Sequence, residues 1–344
     1  MIKHIDVIVP CYNEESSLDR FWKESGEAFS VIEGYEFRYI FIDDGSSDET
    51  LQKIRRLAAL QDSAKADASD APGPDTILGA TGDPAPGNPG ACPKVSYISF
   101  SRNFGKEAAI FAGLAQAEGA CAAVIDCDLQ HPPEKLAEMY RLWQEGYQVV
   151  EGVKASRGKE NPLHTFAARS FYSIISRATG IDMSRASDFK LLDRRAVDTL
   201  LAMREKNAFF RALSSWIGFK TARVEFEVQP RMEGTSKWSL KSLIRYAVTN
   251  LAAFSSAPLQ IVTFLGVIVF LCSVILGIHS LWQKLTGQAL EGFTTVILLI
   301  LFIGSILMIC LGILGYYLAK IYEEIKDRPR YIVAERCGED EHDR

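Results

Sequence analysis

Two long apolar runs in the C-terminal third constrain this chain more than any other feature. No Lys, Arg, Asp or Glu occurs in residues 246–283 or in residues 292–319. A helix of about 20 apolar residues is long enough to cross the hydrocarbon core of a bilayer, whereas a soluble core helix of that length rarely lacks a polar face. We therefore expect two transmembrane helices, at about 257–281 and 294–319, within a hairpin that covers residues 254–322.

Basic residues predict the orientation of these two helices. Cytoplasmic flanks carry the excess of Lys and Arg, and the loop between the two runs has a single basic residue, Lys284. We expect a multi-pass protein of the cell inner membrane with its catalytic part and both termini in the cytoplasm. The flanking basic residues are Arg231, Lys237, Lys241 and Arg245 before the first run and Lys320, Lys326, Arg328 and Arg330 after the second.

A domain organisation follows from this topology. We expect residues 1–230 to form a cytoplasmic domain and residues 323–344 a cytoplasmic tail. Residues 231–253 combine apolar side chains such as Trp238 with basic ones such as Lys241, as in helices that lie on anionic headgroups. An ordinary surface helix is the alternative, but the position directly before an apolar run favours an interfacial amphipathic segment in contact with membrane lipids.

The first 230 residues alternate short apolar runs with amphipathic stretches. The runs "IDVIVP", "FRYIFIDD", "VSYISFS" and "CAAVIDCD" are typical of strands, and helical patterns separate them. This order predicts an α/β fold with a mainly parallel sheet and helices on both faces. Residues 61–93 interrupt the order, since they are rich in Ala, Gly, Pro and Asp and lack aromatic residues. We expect a flexible insertion there and assign it no function.

Polar clusters follow three of the predicted strands. They are "PCYNEE", "DDGSSD" and "DCDLQ". Ligands of such sheets bind beyond the carboxyl ends of the strands, so we expect the clusters to meet in one crevice. "DDGSSD" is also typical of a simple turn with a helix cap. Asp44, at the mouth of its strand, is the residue of this cluster that we expect to accept hydrogen bonds from a nucleoside.

The pair Asp126 and Asp128 is the strongest candidate for metal chemistry. A strand that merely turns at a proline explains one aspartate but gives no reason for the second. Alternate residues of an extended strand point the same way, and two close carboxylates repel unless a proton or cation lies between them. Oxygen ligands suit Mg²⁺ or Mn²⁺ together with a phosphate-bearing substrate. We expect Asp126, Asp128 and Gln130 to be the ligands, with His131 in a structural or supporting role.

The overall composition argues against other classes of protein. The formal net charge is −5, whereas nucleic-acid-binding domains are usually basic, so we expect no nucleic-acid partner. The 7 cysteines are scattered and include no CxxC pair, which supports neither a zinc site nor a disulfide framework. Reduced thiols of this kind are typical of a cytoplasmic environment.

An ordered set of motifs resembles the polyprenyl-phosphate glycosyltransferases of glycosyltransferase family 2, which include bactoprenol glucosyltransferases and dolichyl-phosphate mannose synthases. The resemblance covers nearly the whole chain except residues 61–93, and it implies a GT-A nucleotide-sugar-binding domain. The motifs are "VPCYNEE", "FIDDGSSDET", "SFSRNFGKEAAIFAGL", "DCDLQHPPE", "SDFKLLDRRAVDTL", "RMEGTSKWSLKSL" and "DRPRYIV".

The resemblance also implies roles for matching residues. Asp128 and Asp188 would be catalytic, with Asp188 serving orientation or metal support before proton removal. Arg231 and Lys237 would contact phosphates of the donor or of the lipid acceptor. Lys154 stands where the family often has Arg, a change that keeps the charge but loses the two-pronged fork. The residues implied to bind the nucleotide-sugar are Pro10, Tyr12, Glu14, Ile42, Asp44, Asp126, Cys127, Lys154 and Arg169.

The implied reaction is transfer of a hexose from a nucleotide-sugar to a polyprenyl phosphate at the cytoplasmic membrane face. The family inverts the anomeric carbon with a divalent metal, and UDP-glucose and undecaprenyl phosphate are the expected substrates. A processive polysaccharide synthase is one alternative, although the chain lacks a QxxRW motif. A non-catalytic membrane scaffold is the other. Small residues such as Gly304 and Gly312 permit close helix packing, and we expect a homo-oligomer.

Overall fold

The computed structural model divides the chain into two compact units. The sheet unit contains the N-terminal part of the chain and also the segment Pro329–Arg344, while the apolar-helix unit spans Lys237–Arg328. The residues that the structure describes are 3–30, 32, 35–69, 94–155, 186–203, 205, 209–227, 257–286 and 292–337.

One mixed sheet organises the described part of the sheet unit. Its strand order is β7-β5-β6-β4-β1-β2-β3-β8. The pairs β1–β2, β1–β4, β2–β3 and β5–β7 are parallel, and β4–β6, β5–β6 and β3–β8 are antiparallel. The strands are β1 (Lys3–Cys11), β2 (Tyr35–Asp43), β3 (Lys94–Phe100), β4 (Cys121–Val124), β5 (Val149–Lys154), β6 (Ala186–Asp193), β7 (Thr221–Phe226) and β8 (Val333–Arg336).

Helices cover both faces of this sheet. The helices α1, α2 and α4 pack together on one face, and α3, α5 and α6 pack together on the other. The predicted α/β fold, a mainly parallel sheet between two helical layers, is therefore confirmed. The helices are α1 (Leu18–Phe29), α2 (Thr50–Ser69), α3 (Lys106–Gln116), α4 (Lys135–Gln144), α5 (Arg194–Ala202) and α6 (Phe210–Trp216).

The central strand β1 shows why its sequence forms a doubly covered strand. Successive side chains of a strand point to opposite faces. Ile5, Val7 and Val9 belong to the core on the α1–α4 face, while Ile8 meets Gly113 of α3 on the other face. All four aliphatic side chains are fully buried. A parallel strand covered on both faces is expected to be largely apolar, as residues 7–9 are, while the buried Asp6 of the same strand is paired with Arg38.

Two segments differ from the sequence-based expectation. The helix α2 continues to Ser69, into the segment 61–93 where we expected a flexible insertion, because the alanine-rich stretch after Leu60 favours helix. Residues 70–93 lie outside the described part of the chain. The expected tail 323–344 instead contributes β8, whose edge position next to β3 could not be inferred from a four-residue strand at the far end of the chain.

The apolar-helix unit contains two long helices, α7 (Ala257–Leu285) and α8 (Phe293–Ile325). Within them, Val262–Gln283 and Phe302–Ile325 are long and apolar enough to cross a membrane. Neither stretch is buried within the described structure. The expected interfacial segment 231–253 lies outside the described residues.

Candidate functional site

An open cleft of about 370 Å³ lies where strands β1, β2 and β4 end. Parallel strands bring their carboxyl ends to the same edge of a sheet, where α/β proteins bind their ligands. The cleft is lined by Pro10, Cys11, Tyr12, Glu14, Asp44, Asn103, Gly105, Lys106, Ala109, Asp126, Cys127 and Asp128. The three polar clusters of the sequence thus meet here, as the strand order requires.

Asp44 shapes the rim of this cleft. Its carboxylate accepts hydrogen bonds from the backbone amides of Phe104 at 2.6 Å and Gly105 at 2.9 Å, so it fixes the loop that begins α3. Burial raises the pKa of Asp44, and the two amides only partly offset that effect. Asp44 therefore holds the loop before α3, and because it also lines the cleft, its hydrogen bonds to a nucleoside stay a prediction.

The neighbouring turn requires a glycine. Gly45 has a φ of +68°, and a Cβ atom there would lie 2.5 Å from the backbone carbon of Arg102. Only a residue without a side chain permits both this conformation and this approach. The "DDGSSD" motif thus serves as a turn that lets the β2–α2 loop pack closely against the β3–α3 loop.

Asp126 and Asp128 follow β4 and both line the cleft. Asp128 Oδ1 accepts a hydrogen bond from the Gln130 amide at 3.1 Å. Leu129, which lies between Asp128 and Gln130, adopts a φ of +56° although it is not a glycine. Such a conformation costs about 1 kcal/mol or more and is concentrated at functional sites. The turn directly after Asp128 therefore carries a backbone strain of the kind found at functional sites.

A pair of cationic side chains neutralises Asp126, which lines the cleft, and Asp188, which lies next to it. Lys106 Nζ lies 2.7 Å from both carboxylate oxygens of Asp126 and 2.7 Å from Asp188 Oδ2. Arg211 grips Asp188 with two parallel bonds, from Nε at 2.6 Å and from Nη2 at 2.7 Å. Two-pronged Arg–carboxylate pairs are stronger and more directional than single contacts. We call Lys106, Asp126, Asp188 and Arg211 the charged centre.

The sheet topology explains why the charged centre forms. Asp188 lies near the start of β6, which pairs antiparallel with β4 so that Val124 faces Lys190. The start of β6 thus lies beside the carboxyl end of β4, next to Asp126. Lys106 is the first residue of α3, and Arg211 lies in the first turn of α6. Four chain segments that are distant in sequence therefore converge on one point.

Burial and charge shift the ionisation of this centre in a consistent direction. Burial disfavours the charged form of Asp188, but Lys106 and Arg211 outweigh it and hold the pKa of Asp188 well below its usual range. The same balance lowers the pKa of Asp126, mainly through Lys106. The pKa of Lys106 is raised, because its two carboxylate partners outweigh its burial. All three groups are therefore charged at neutral pH.

Two further ionisable groups border the charged centre. Glu107 Oε2 accepts a hydrogen bond from the Phe210 amide at 2.8 Å, and burial together with the charge of Asp188 raises the pKa of Glu107 to about 7. Lys154 stands at the end of β5, where burial and then the charge of Arg211 lower its pKa. Each of these two pKa shifts favours the neutral form of the side chain, whereas the shifts within the charged centre favour the charged forms.

His131 is packed as an aromatic residue beside Asp126. Its ring stacks on Phe189 and meets the edge of Phe226, each with centroids 5.4 Å apart. Its Nδ1 lies 3.6 Å from Asp126 Oδ2, beyond hydrogen-bond distance, and is a buried nitrogen with no hydrogen-bond partner. Burial lowers the pKa of His131, so the imidazole is neutral. Its place against Phe189 and Phe226 accords with a structural or supporting role.

The residues present fit a divalent cation bound in the cleft. Two carboxylates, Asp126 and Asp128, line the same space, and the ammonium of Lys106 already stands as a cation against both oxygens of Asp126. Among the described residues, no three His, Cys, Asp or Glu side chains gather around one point. A cation here would therefore depend on oxygen atoms of substrate and water, as Mg²⁺ commonly does.

The structure places the other expected site residues as follows. Ile42 is fully buried in β2 and is not among the residues that line the cleft. Gln130 is partly buried in the turn after Asp128, where its backbone N–H donates the hydrogen bond to that aspartate. Asp188 belongs to the charged centre. Arg169, Arg231 and Lys237 lie outside the described residues.

Sequence reasoning missed three residues that contact the site. Lys106 and Glu107 lie within the motif "SFSRNFGKEAAIFAGL", but its charged residues are not among the expected site residues. A glycine followed by Lys and Glu at the start of a helix that follows a strand was the available signal. Arg211 belongs to none of those motifs, and only the approach of α6 to β6 identifies it.

Comparison with known proteins identifies the family. The family described as "Glycosyl transferase family 2" matches residues 6–66 and 87–201. These matched residues include the carboxyl ends of β1, β2 and β4, and with them all the described residues that line the cleft.

Three similar proteins match along nearly their entire length. The uncharacterized glycosyltransferase YkcC of Bacillus subtilis (strain 168) is 33% identical, over 98% of this chain and 96% of that protein. A prophage bactoprenol glucosyl transferase homolog of Escherichia coli (strain K12) is 33% identical, over 96% of this chain and 98% of that one. The bactoprenol glucosyl transferase of Shigella phage SfII is 32% identical, over 96% and 97%.

Proposed function

Because the chain belongs to glycosyl transferase family 2, we propose that this glycosyltransferase moves a hexose from a nucleotide-sugar to the phosphate of a polyprenyl carrier. The charged centre next to the cleft carries the proposal, since Asp126 and Asp188 there face two fixed cations. The names of the Escherichia coli and Shigella phage relatives, which specify bactoprenol glucosyl transfer, support the acceptor and favour glucose. UDP-glucose is the donor that we propose.

The cleft supports the proposed donor site. Its outer wall is formed by Tyr12, whose side chain is half-exposed, together with Pro10, Glu14 and Asn103. An exposed aromatic ring beside polar groups suits a nucleoside base, which offers a flat face and a polar edge. The diphosphate would then extend towards Asp126 and Asp128, on the inner wall of the same cleft.

We propose that Asp126 and Asp128 hold Mg²⁺ or Mn²⁺ with the donor diphosphate. Such a cation would stabilise the negative charge that develops on the departing nucleoside diphosphate. Lys106 lies 2.7 Å from both oxygens of Asp126 and supplies a second positive charge at the same place. Leu129 holds Asp128 at the cleft through its left-handed backbone conformation.

Asp188 does not need to act as a strong base in the proposed reaction. Lys106 and Arg211 keep it ionised by holding its pKa well below the usual range, which makes it a weak proton acceptor. A phosphate monoester has a second pKa near 6, so the acceptor is already largely ionised at neutral pH. We propose that Asp188 instead orients Lys106 and Arg211, which leaves inversion at the anomeric carbon to direct attack by the phosphate.

The two apolar helices suit a lipid acceptor. A polyprenyl phosphate is confined to a membrane, so an enzyme that uses it gains from being anchored there. We propose that Val262–Gln283 and Phe302–Ile325 cross the inner membrane and that the sheet unit faces the cytoplasm. The segment 231–253, with Arg231 and Lys237, would lie at the headgroups near the acceptor phosphate.

The test is a transfer assay with the purified full-length protein. Labelled nucleotide-sugars are supplied one at a time with polyprenyl phosphate and Mg²⁺ or Mn²⁺, and the lipid product is identified by mass spectrometry. We expect a glycolipid with UDP-glucose, and we expect Asp128→Ala to lower turnover by at least about 100-fold because transition-state stabilisation is lost. Asp19→Ala, at a 69% exposed carboxylate on α1, is the control and should leave turnover unchanged.

Two outcomes would contradict the proposal. If Asp128→Ala turns over like the wild type, the metal assignment is wrong. If no activated sugar yields a lipid-linked product with any divalent cation, the proposed acceptor is wrong, and a scaffold or a synthase of free polysaccharide becomes the better explanation.

A further inference from the structure

The segment after the second apolar helix returns to the sheet unit and is held there at several points. We call residues 329–337 the strap. β8 of the strap pairs with β3, and Tyr331 stacks on Phe100 with centroids 4.9 Å apart. Glu335 is bound by Arg55 and accepts a hydrogen bond from the Tyr97 hydroxyl at 2.7 Å. The strap is therefore an integral part of the sheet unit and not a free tail.

Arg330 connects the strap to the region behind the charged centre. Its Nη2 donates to the carbonyl oxygens of Met203 at 2.7 Å and of Glu205 at 2.6 Å. Met203 is the residue that ends α5, and a cation that binds carbonyl oxygens at a helix C-terminus is favoured by the helix dipole. The guanidinium also lies over the ring of Phe111, 4.6 Å from its centroid.

From these contacts a short path leads to Arg211. Phe111 meets the ring of Phe210 edge to face, with centroids 6.4 Å apart. The Phe210 amide is bound by Glu107, and the next residue, Arg211, makes the two-pronged contact with Asp188. Arg330 therefore binds the chain shortly before α6 and also supports the aromatic ring that packs against the first residue of α6.

We propose that Arg330 is a positioning residue for sugar transfer, which fixes the start of α6 and through it the guanidinium of Arg211 on Asp188. The inference rests on the proposed function, in which Asp188 orients the cations of the charged centre. Displacement of a catalytic group by about 1 Å can cost up to about 100-fold in rate, so a residue outside the cleft can control turnover. Met203, Glu205 and Phe111, which Arg330 contacts, are not among the described residues that line the cleft, so we expect donor binding to change less than turnover.

Two substitutions of Arg330 and one matched control test this inference in the full-length protein. Arg330→Met keeps the length of the side chain but removes the guanidinium, while Arg330→Lys keeps a cation that can bind one carbonyl and lie over Phe111. Arg336→Met is the control, because Arg336 is an exposed arginine on the same strap. The readouts are kcat, KM for the nucleotide-sugar, and deuterium uptake of the peptide that covers residues 203–214.

We expect Arg330→Met to lower kcat about 10- to 100-fold, with the donor KM within threefold of wild type and faster exchange confined to residues 203–214. Arg330→Lys should recover most of the lost kcat, and Arg336→Met should behave like wild type. An unchanged kcat for Arg330→Met would overturn the inference. Faster exchange throughout the sheet unit would overturn it too, since it would mean that Arg330 serves general stability.

The exchange measurement also separates this inference from the proposed function. If the wild-type protein transfers no sugar to lipid, the proposed function fails. Local acceleration of exchange in Arg330→Met, with no change in Arg336→Met, would still support the positioning of α6 by Arg330. Unchanged exchange at residues 203–214 would overturn that positioning whatever the activity.

Discussion

At the scale of single residues, the site is built from charges that compensate one another. Lys106 bridges Asp126 and Asp188, and Arg211 completes the neutralisation of Asp188. The Asp188 carboxylate is the buried member of this network, and a buried charge is tolerated only when it is paired and hydrogen-bonded, as Asp188 is. Removal of one member would leave its partner as an uncompensated charge, so substitutions within the centre should affect stability as well as activity.

Glu107 is the member of the site whose ionisation should be visible in stability. Its pKa is raised from 4.5 to about 7, so the folded protein retains a proton there that the unfolded chain has released between these values. Stability therefore falls as the pH rises through this window and is lowest above about 7. Glutamine cannot ionise, so the Glu107→Gln variant should not lose this stability. We expect its free energy of unfolding, relative to that of the wild type, to be higher at pH 8 than at pH 5 by at most about 3 kcal/mol.

Thermal unfolding of the detergent-solubilised variants at pH 5 and pH 8 measures this effect. Glu118→Gln is the control, because the Glu118 side chain is 77% exposed and its loss should shift the unfolding temperature equally at both values. A Glu107→Gln variant with the same pH dependence of stability as the wild type would show that Glu107 titrates normally in the folded protein.

At the scale of secondary-structure elements, α3 is the helix that links the core to the site. Its N-terminal residues Lys106 and Glu107 reach the charged centre, while its middle packs against β1. Gly113 permits this packing, since a Cβ atom there would lie 2.2 Å from Cγ2 of Ile8. The close approach of helix and strand at this point determines how far Lys106 extends into the cleft.

The contact at Gly113 can be tested by substitution. In an unobstructed helix, replacing Gly by Ala stabilises a protein by about 0.5–1 kcal/mol. We expect Gly113→Ala to destabilise this protein instead, by about 1–3 kcal/mol, because the added methyl group overlaps a packed side chain. Thermal or denaturant unfolding gives the sign, and a stabilised variant would contradict the packing described here.

A double variant gives the matched control for that contact. Ile8→Ala removes the atom that Gly113→Ala would strike, at its own cost of about 2–5 kcal/mol for the cavity. The double variant should lose less stability than the sum of the two single variants, because contacting residues are not additive. Strict additivity would show that the two positions do not touch.

At the scale of the whole molecule, the chain leaves the sheet unit before the two apolar helices and rejoins it after them. The strap places β8 in the same sheet as β1, although the two strands are separated by more than 300 residues. If both helices cross a membrane, two crossings return the chain to the side on which it started. The expected orientation, with both ends cytoplasmic, is compatible with this connectivity.

Membrane-impermeant maleimide labelling tests this topology. Gln288→Cys places a thiol between the two helices, and the native Cys337 is an exposed thiol on the strap. We expect intact cells to label Gln288→Cys but not the wild type, because Cys337 would face the cytoplasm. Labelling of Cys337 should require cell lysis, and labelling of the wild-type protein in intact cells would contradict the orientation.

The sequence alone determined the features that depend on local pattern. Alternating apolar runs and amphipathic stretches specify strands and helices, and their βαβα order implies a mainly parallel sheet whose strand ends meet. That argument by itself predicts Asp44, Asp126 and Asp128 in one crevice, where all three lie. The two apolar helices follow from composition alone, because length and the absence of charge are properties of each run by itself.

Only the tertiary structure decided which distant charges face one another. Arg211 reaches Asp188 because β6 runs antiparallel beside β4 and α6 packs against β6. The hydrophobic periodicity of a single segment reveals neither of these relations. The same holds for Arg330 and for β8, since a four-residue edge strand carries too little pattern to reveal its partner. The pattern of apolar residues predicts each helix or strand, because each segment buries its own apolar side chains. The pairing of charged side chains depends instead on how those helices and strands are arranged in the folded protein.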